Sequence, residues 1–297
     1  MNLKKNTKRK VFSFALVAIV ITLLYGAIAA SGQVAPKDNV SVADSEADMP
    51  FKLLQIQADV QGSLNDMDSD VANASRNLSA TGPEGAADRG VLRKLLETNS
   101  NLAEAVTVSK DGKIIVAECK GCEGGGGADI SSQEHIAHIL KTKTPVLSEE
   151  FLTVEGYNAT ALVYPVFSSQ GEFLGGISAP FESDKLLDAL VAPKLNGTNY
   201  SFWVMQLDGL ITYDRDASQI GKNLFEDPLY KPFPSLLALG EKMIAERSGH
   251  GSYSFQFTEG NKTVVTKEVY WTTAGLYGRE WRLSITRIMY CTFQVSP

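Results

Sequence analysis

The first group of residues whose types and spacing could do chemistry is Cys119-x2-Cys122-x12-His135-x2-His138. Two thiolates and two imidazoles make a tetrahedral zinc set, and an i, i+3 pair on a helix turns both rings to one face. The competing reading is structural. Outside the cytoplasm, Cys119 and Cys122 oxidise to a tight disulfide, while histidines on an amphipathic helix face solvent. The His pair is one residue closer than zinc-finger spacing asks, and a run of four glycines would have to be ordered around the metal at entropic cost. Both points weigh toward the disulfide or free thiols. Glu123 stands where a c-type haem motif needs His, and the glycines oppose the helix N-terminus that a redox-active cysteine pair requires.

A second group is suited to binding. In the first half of the chain, Glu134, His135, Tyr157 and Tyr164 offer adaptable donors and acceptors for a polar pocket. In the second half, Trp203, Met205, Tyr213, Tyr253, Tyr270 and Trp271 alternate along β-rich runs with the charged Asp214 and Lys267. This pattern is consistent with an aromatic-walled cavity and equally with the core face of a curved sheet. The binding candidates taken from it are Trp203, Tyr213, Asp214, Lys267 and Tyr270. No nucleophile elbow, phosphate-cradling loop or H-E-x-x-H helix occurs, so the chain is read as a non-enzyme with no cofactor. A net charge of −6 without a basic patch in the body of the chain argues against nucleic acid.

Positioning these residues outside the cytoplasm falls to the N-terminus. Residues 1–10 carry Lys4, Lys5, Lys8, Arg9 and Lys10, and residues 11–30 are uncharged. About 20 residues at 1.5 Å rise span the roughly 30 Å of a bilayer core, and the basic flank stays in the cytoplasm. The segment reads as a membrane anchor or, cleaved near Ala29, as a signal peptide. The chain beyond residue 30 is expected outside the cell membrane, or secreted if cleavage occurs. The C-terminal tail 289–297 offers no second span, so any signal is expected to pass through a membrane partner. Seven of the thirteen asparagines sit in N-x-Ser/Thr sequons (Asn39, Asn73, Asn77, Asn158, Asn196, Asn199 and Asn261), consistent with exposed positions on an exported glycoprotein.

Residues 31–49 read as a flexible linker. From 50 to 80 the spacing of Val60, Leu64, Met67, Val71, Ala74 and Leu78 predicts one long helix, either a stalk with a homodimer seam or a helix packed along its own domain. Residues 81–182 hold a short helix, a hairpin around Asp111-Gly112, a helix capped by Ser131 or Ser132, and a meander of strands. Residues 183–199 predict a connecting helix stopped by Pro193 and Gly197. Residues 200–288 repeat the hairpin, now around Asp208-Gly209, then a helix and three strands. The fold class is α+β: a long N-terminal helix and two PAS-like modules, each a central antiparallel sheet with flanking helices.

The leading helix, the hairpin AVTVSKDGKIIVAE, the segment ADISSQEHIAHILKTKTPVLSEEF, the run from WVMQLDGLITYD through IGKNLFEDPLY, and the closing LYGREWRLSITR resemble double Cache sensor proteins. The resemblance covers about residues 50–288 and is strongest to archaeal, methanogen-type members. It implies an extracytoplasmic sensor in which a small molecule sits between sheet and overlying helix of the membrane-distal module, 81–182, and shifts the leading helix. The Arg-x-Trp pocket arrangement of the amino-acid-binding members is not found in that module. Arg279-Glu280-Trp281 lies on the final strand of the other one.

Overall fold

The computed structural model describes residues 48–81, 86–120, 126–256 and 263–289. The basic flank, the apolar segment 11–30 and the linker up to residue 47 lie outside these, as do Asn39, Cys122 and Asn261. Among the described residues no helix is long and apolar enough to cross a membrane.

Helix α1 (Asp48–Thr81) runs for 34 residues, and its periodic stripe is consumed by its own core. Ile56, Val60, Leu64, Met67, Val71 and Leu78 are fully buried. At roughly 1.5–3 kcal/mol for each large apolar side chain, this burial holds the helix in place. Of the two readings of the stripe, the structure therefore takes packing along the chain's own domain. The same cluster gathers Leu162, Ile177 and Phe181 from a first sheet and Phe202, Trp281 and Leu283 from a second, so α1 is a spine shared by both.

The first sheet follows α2 (Ala86–Thr98). It contains β1 (Glu104–Val108), β2 (Ile114–Cys119), β3 (Val146–Leu147), β4 (Phe151–Leu152), β5 (Asn158–Phe167) and β6 (Phe173–Phe181). Helix α3 (Glu134–Thr142) intervenes after β2. Helix α4 (Ser183–Leu195) leads to the second sheet: β7 (Ser201–Gln206), β8 (Ile211–Asp214), β9 (Gly249–Gln256), β10 (Val264–Leu276) and β11 (Arg279–Ile288), with α5 (Pro234–Ala245) between β8 and β9. The strand orders are β2-β1-β6-β5-β3, with β4 beside β5, and β8-β7-β11-β10-β9. Every pairing is antiparallel, and in both sheets the last strand returns beside the first. The opening turns of the two sheets use Gly112 (φ 80°) and Gly209 (φ 93°), where an L side chain is strained. A Cβ there would also meet Ser131 at 2.5 Å and Phe225 at 2.4 Å.

Two local expectations are corrected. Neither Ser131 nor Ser132 caps α3: the N-cap is Gln133, without a side-chain bond, because Asp129 accepts from the Ser131 amide (3.0 Å) and draws that stretch into a turn. Pro193 does not stop α4, which continues to the buried Leu195 and ends before Gly197 (φ 76°). A proline this close to a C-terminus forfeits one backbone bond while Val191 and Leu195 keep the last turn packed. The sequon residues Asn73, Asn77, Asn158, Asn196 and Asn199 are all exposed.

Candidate functional site

The outer face of each sheet, away from α1, is roofed by its own helix, and the two roofs fit differently. Over the first sheet, α3 presses Ile136 and Ile139 into a cluster with Val106, Val108, Ala161 and Val163. What remains is a cavity of about 20 Å³ bordered by Glu104, Ile130, Gln133, Phe151, Thr153 and Ser178. That is room for about one water.

Over the second sheet, α5 covers one half with Leu236, Leu239 and Met243 against Met205, Val269 and Trp271. The other half is left as a cavity of about 550 Å³. Period-two alternation brings its walls together. Trp203 on β7 lies opposite Asp214 on β8, and Lys267 on β10 lies opposite Tyr253 on β9. Ile211, Leu224, Tyr230 and Phe255 complete the apolar lining. Phe255 sits between Tyr230 (5.7 Å) and Phe233 (4.9 Å), and the Lys267 ammonium stands 5.9 Å from its ring. The Tyr230 hydroxyl donates to Gln219 (2.7 Å), whose amide donates to Asp216 (3.2 Å).

Burial pushes the Asp214 carboxyl up to about 7, although the Asp216 amide donates to its Oδ1 at 2.8 Å. Burial also lowers Lys267, opposed by the negative charges of Asp214 and Asp216. Asp216 is held low against its burial by bonds from Ser218 and Gln219, as the N-cap of the 3₁₀ turn Ala217–Gln219. No carboxylate among the described residues comes within the 4.0 Å ion-pair distance of Lys267.

Of the binding candidates, Trp203, Asp214 and Lys267 thus meet at one cavity. Tyr213 and Tyr270 do not. Tyr213 stands next to the cavity-facing Asp214 and Tyr270 next to Trp271 of the α5 contact, and both pack on the shared core on the α1 side of the sheet. Tyr213 donates to Asp188 of α4 (3.0 Å), and Tyr270 packs on the shared core with its ring 4.3 Å from His250. Met205 and Trp271 belong to the α5 contact. Tyr230, Gln219, Leu224 and Phe255 were not among the candidates. Only the first three come from the loop after β8, where no periodicity marks which side chains turn inward.

The four candidates of the first half do not converge. Glu134 is exposed and accepts from Arg279 (2.5 Å). His135 is buried against Phe151 (4.3 Å), its Nε2 has no hydrogen-bond partner, and burial pushes its pKa down to about 4. Tyr164 donates to Asp68 of α1 (2.7 Å). Tyr157 alone reaches the small cavity's edge, through a bond to Glu104, whose carboxyl burial raises to about 7 with the nearby Glu155 charge adding to the effect.

The zinc set is not assembled either. Cys119 is disulfide-bonded and offers no thiolate, Cys122 lies outside the described residues, and His138 hydrogen-bonds Thr144 (3.3 Å). Among the described residues no group of three or more His, Cys, Asp or Glu side chains is placed to hold a metal.

Known proteins resemble this chain in part of its sequence and in its fold. Residues 62–183 match the family model described as HK/GC/Chemotaxis protein-like, sensor domain. An extracellular ligand binding receptor from Desulfohalobium retbaense is 30% identical with a TM-score of 0.68, over 82% of this chain and 41% of that one. The chain therefore spans less than half of that receptor. The periplasmic sensory domain of the Campylobacter jejuni chemoreceptor Tlp1 is 13% identical with a TM-score of 0.64, covering 86% of this chain and 99% of that one. The ligand binding domain of the Pseudomonas aeruginosa amino acid chemoreceptor PctC, in complex with GABA, is 16% identical with a TM-score of 0.58, covering 82% and 100%. The last two show the shared fold. No curated protein matches.

Proposed function

We propose that this chain is an extracytoplasmic small-molecule sensor, held at a membrane by residues 11–30, whose ligand occupies the second-sheet cavity and whose occupancy is reported to a signalling partner. The two sheets then correspond to two Cache modules in tandem. The observation that carries the reading is the cavity of about 550 Å³, which joins aromatic walls to an Asp214 and a Lys267 that are not ion-paired with each other. Concave apolar spaces with a few convergent polar groups are the usual form of a ligand site. The relation of residues 62–183 to sensor domains supports a sensing role over a catalytic one.

The test is a thermal-shift screen of the purified full-length protein against organic acids, amines and purines. A ligand raises Tm by an amount that grows with the logarithm of its concentration. In a Ser201→Phe variant, which projects a ring into the cavity, the shift disappears. A panel without a shift, or a shift that survives Ser201→Phe, overturns the assignment.

A further inference from the structure

Resting on the proposal that this cavity is a ligand site, its charge and lining narrow the ligand class. From β8 and the turn after it come Asp214, Arg215 and Asp216. Of these, Arg215 is exposed and donates to the Tyr200 carbonyl (3.1 Å), while Asp216 is engaged as an N-cap. Arg287 on β11 is paired with Glu268 (2.6 Å), and Tyr253 and Tyr230 present hydroxyls from β9 and the loop before α5. Lys267 remains, half-buried and without a carboxylate at ion-pair distance among the described residues. An ammonium withdrawn from water and left unpaired is an unmet electrostatic demand that an incoming anion would satisfy. Beside it, burial leaves Asp214 partly neutral near pH 7, and a neutral carboxyl is a hydrogen-bond donor.

Size and lining speak to the rest of the molecule. At about 30 Å³ per water, a space of about 550 Å³ stays mostly hydrated around a two-carbon acid. Trp203, Tyr253 and Phe255 instead offer faces on which a ring can stack, releasing that water. We propose that the cavity binds a small organic carboxylate with a ring-bearing apolar body, its carboxylate at Lys267 and its ring against Trp203 and Phe255. The pH dependence has a definite sign. As pH rises through about 7, Asp214 ionises, repels the bound carboxylate and competes for Lys267, so affinity falls. A cationic amine would show the reverse. Asp216 is held low and the two arginines stay charged, so neither cancels the effect.

The experiment is isothermal titration of the full-length protein with phenylacetate, benzylamine and benzyl alcohol, which are of similar shape and differ in charge, at pH 6 and pH 8. Phenylacetate is expected to bind tightest of the three, and several-fold more tightly at pH 6 than at pH 8. Asp214→Asn removes the pH dependence. Lys267→Met weakens binding at least tenfold, while Lys267→Arg, which keeps the charge, restores most of it and controls for misfolding. Benzylamine binding tighter than phenylacetate, acid affinity that rises with pH, or Lys267→Met affinity equal to wild type overturns the ligand class. If none of the three binds but another screened compound shifts Tm in wild type and not in Ser201→Phe, the class is wrong and the cavity assignment stands. If no compound shifts Tm, both fail.

Discussion

The first and second sheets share a strand order and a spine helix, yet the space under α3 is about 20 Å³ and the space beside α5 about 550 Å³. The difference lies in what each roof delivers. Helix α3 sets Ile136 and Ile139 onto small and branched residues, and Ile139 reaches so close to Gly176 that a Cβ there would stand 2.3 Å from it. Helix α5 spends its apolar residues on the Trp271 half of its sheet and leaves Trp203, Tyr253 and Lys267 to face open space. One topology therefore supports a filled core or an open space, and the choice rests on the reach of a few side chains. The resemblance sets a ligand under the helix of the first sheet, where the cavity is about 20 Å³, whereas the site proposed above lies over the second sheet.

The largest loss of stability is expected at the roof of the second sheet. Arg282, 2% exposed, donates to the Met243 carbonyl (2.6 Å) and the Ile244 carbonyl (3.2 Å) at the C-terminal end of α5, and to Glu280 (2.8 Å). Arg282→Ala leaves those buried carbonyls without their donor and Glu280 with Arg247 as its remaining cation, at a cost of about 3 kcal/mol. Urea denaturation should show this as a lower midpoint, and an unchanged midpoint would mean that α5 is held by its apolar face alone.

A paired truncation tests packed against open. Ile139→Ala opens a void in a dry core and should cost about 3 kcal/mol. Leu224→Ala enlarges a space that already lacks partner atoms on one side, and about 1–2 kcal/mol is expected. Equal losses on denaturation would contradict the contrast between the sheets.

Glu104 has a folded pKa raised from 4.5 to about 7, so the native state holds the proton more tightly than the unfolded chain. Its contribution favours folding below about pH 4.5 and is lost as pH rises toward 7, on the order of 3 kcal/mol at 1.36 kcal/mol per unit. His135, lowered from 6.5 to about 4, acts with the opposite sign and lowers stability as pH falls through that window. Glu104→Gln should flatten the decline in Tm between pH 5 and pH 7.5, and an identical profile would remove Glu104 from the account.

The smallest effect is expected where the two sheets are joined to α1. Tyr277, at the β10–β11 turn with φ 55°, donates to Asp68 (2.6 Å) and meets the Tyr164 hydroxyl. Both tyrosines are partly exposed, so Tyr277→Phe should cost under about 1 kcal/mol. A loss several times larger would make this junction a principal tie between the sheets.

Much of the architecture was legible because it is written in local periods. The four-and-three spacing from Val60 to Leu78 gave α1 its buried face, and the dipeptides at Asp111 and Asp208 marked both hairpins. The candidate site was only half legible. Trp203, Asp214 and Lys267 share a face, but Tyr213 does not, because the register shift between Tyr213 and Ile211 turns Tyr213 away from the face that Ile211 lines, and residue type does not mark such a bulge. In the first half, residue type suggested a pocket at Glu134 and Tyr164, whereas long-range partners Arg279 and Asp68 engage both.

By itself the sequence determined the helix and strand periods, the turns, the duplicated order of elements and the acidic composition, because each depends on neighbours within a few residues. Only the tertiary structure settles which of the two sheets keeps an open space, which tyrosines face it, and that Lys267 lies there with no carboxylate partner among the described residues while Arg279 and Arg287 are paired. Cavities and ion pairs are set by side chains far apart in the chain meeting across a roof and a sheet, and no local pattern records whether they fill the gap between them.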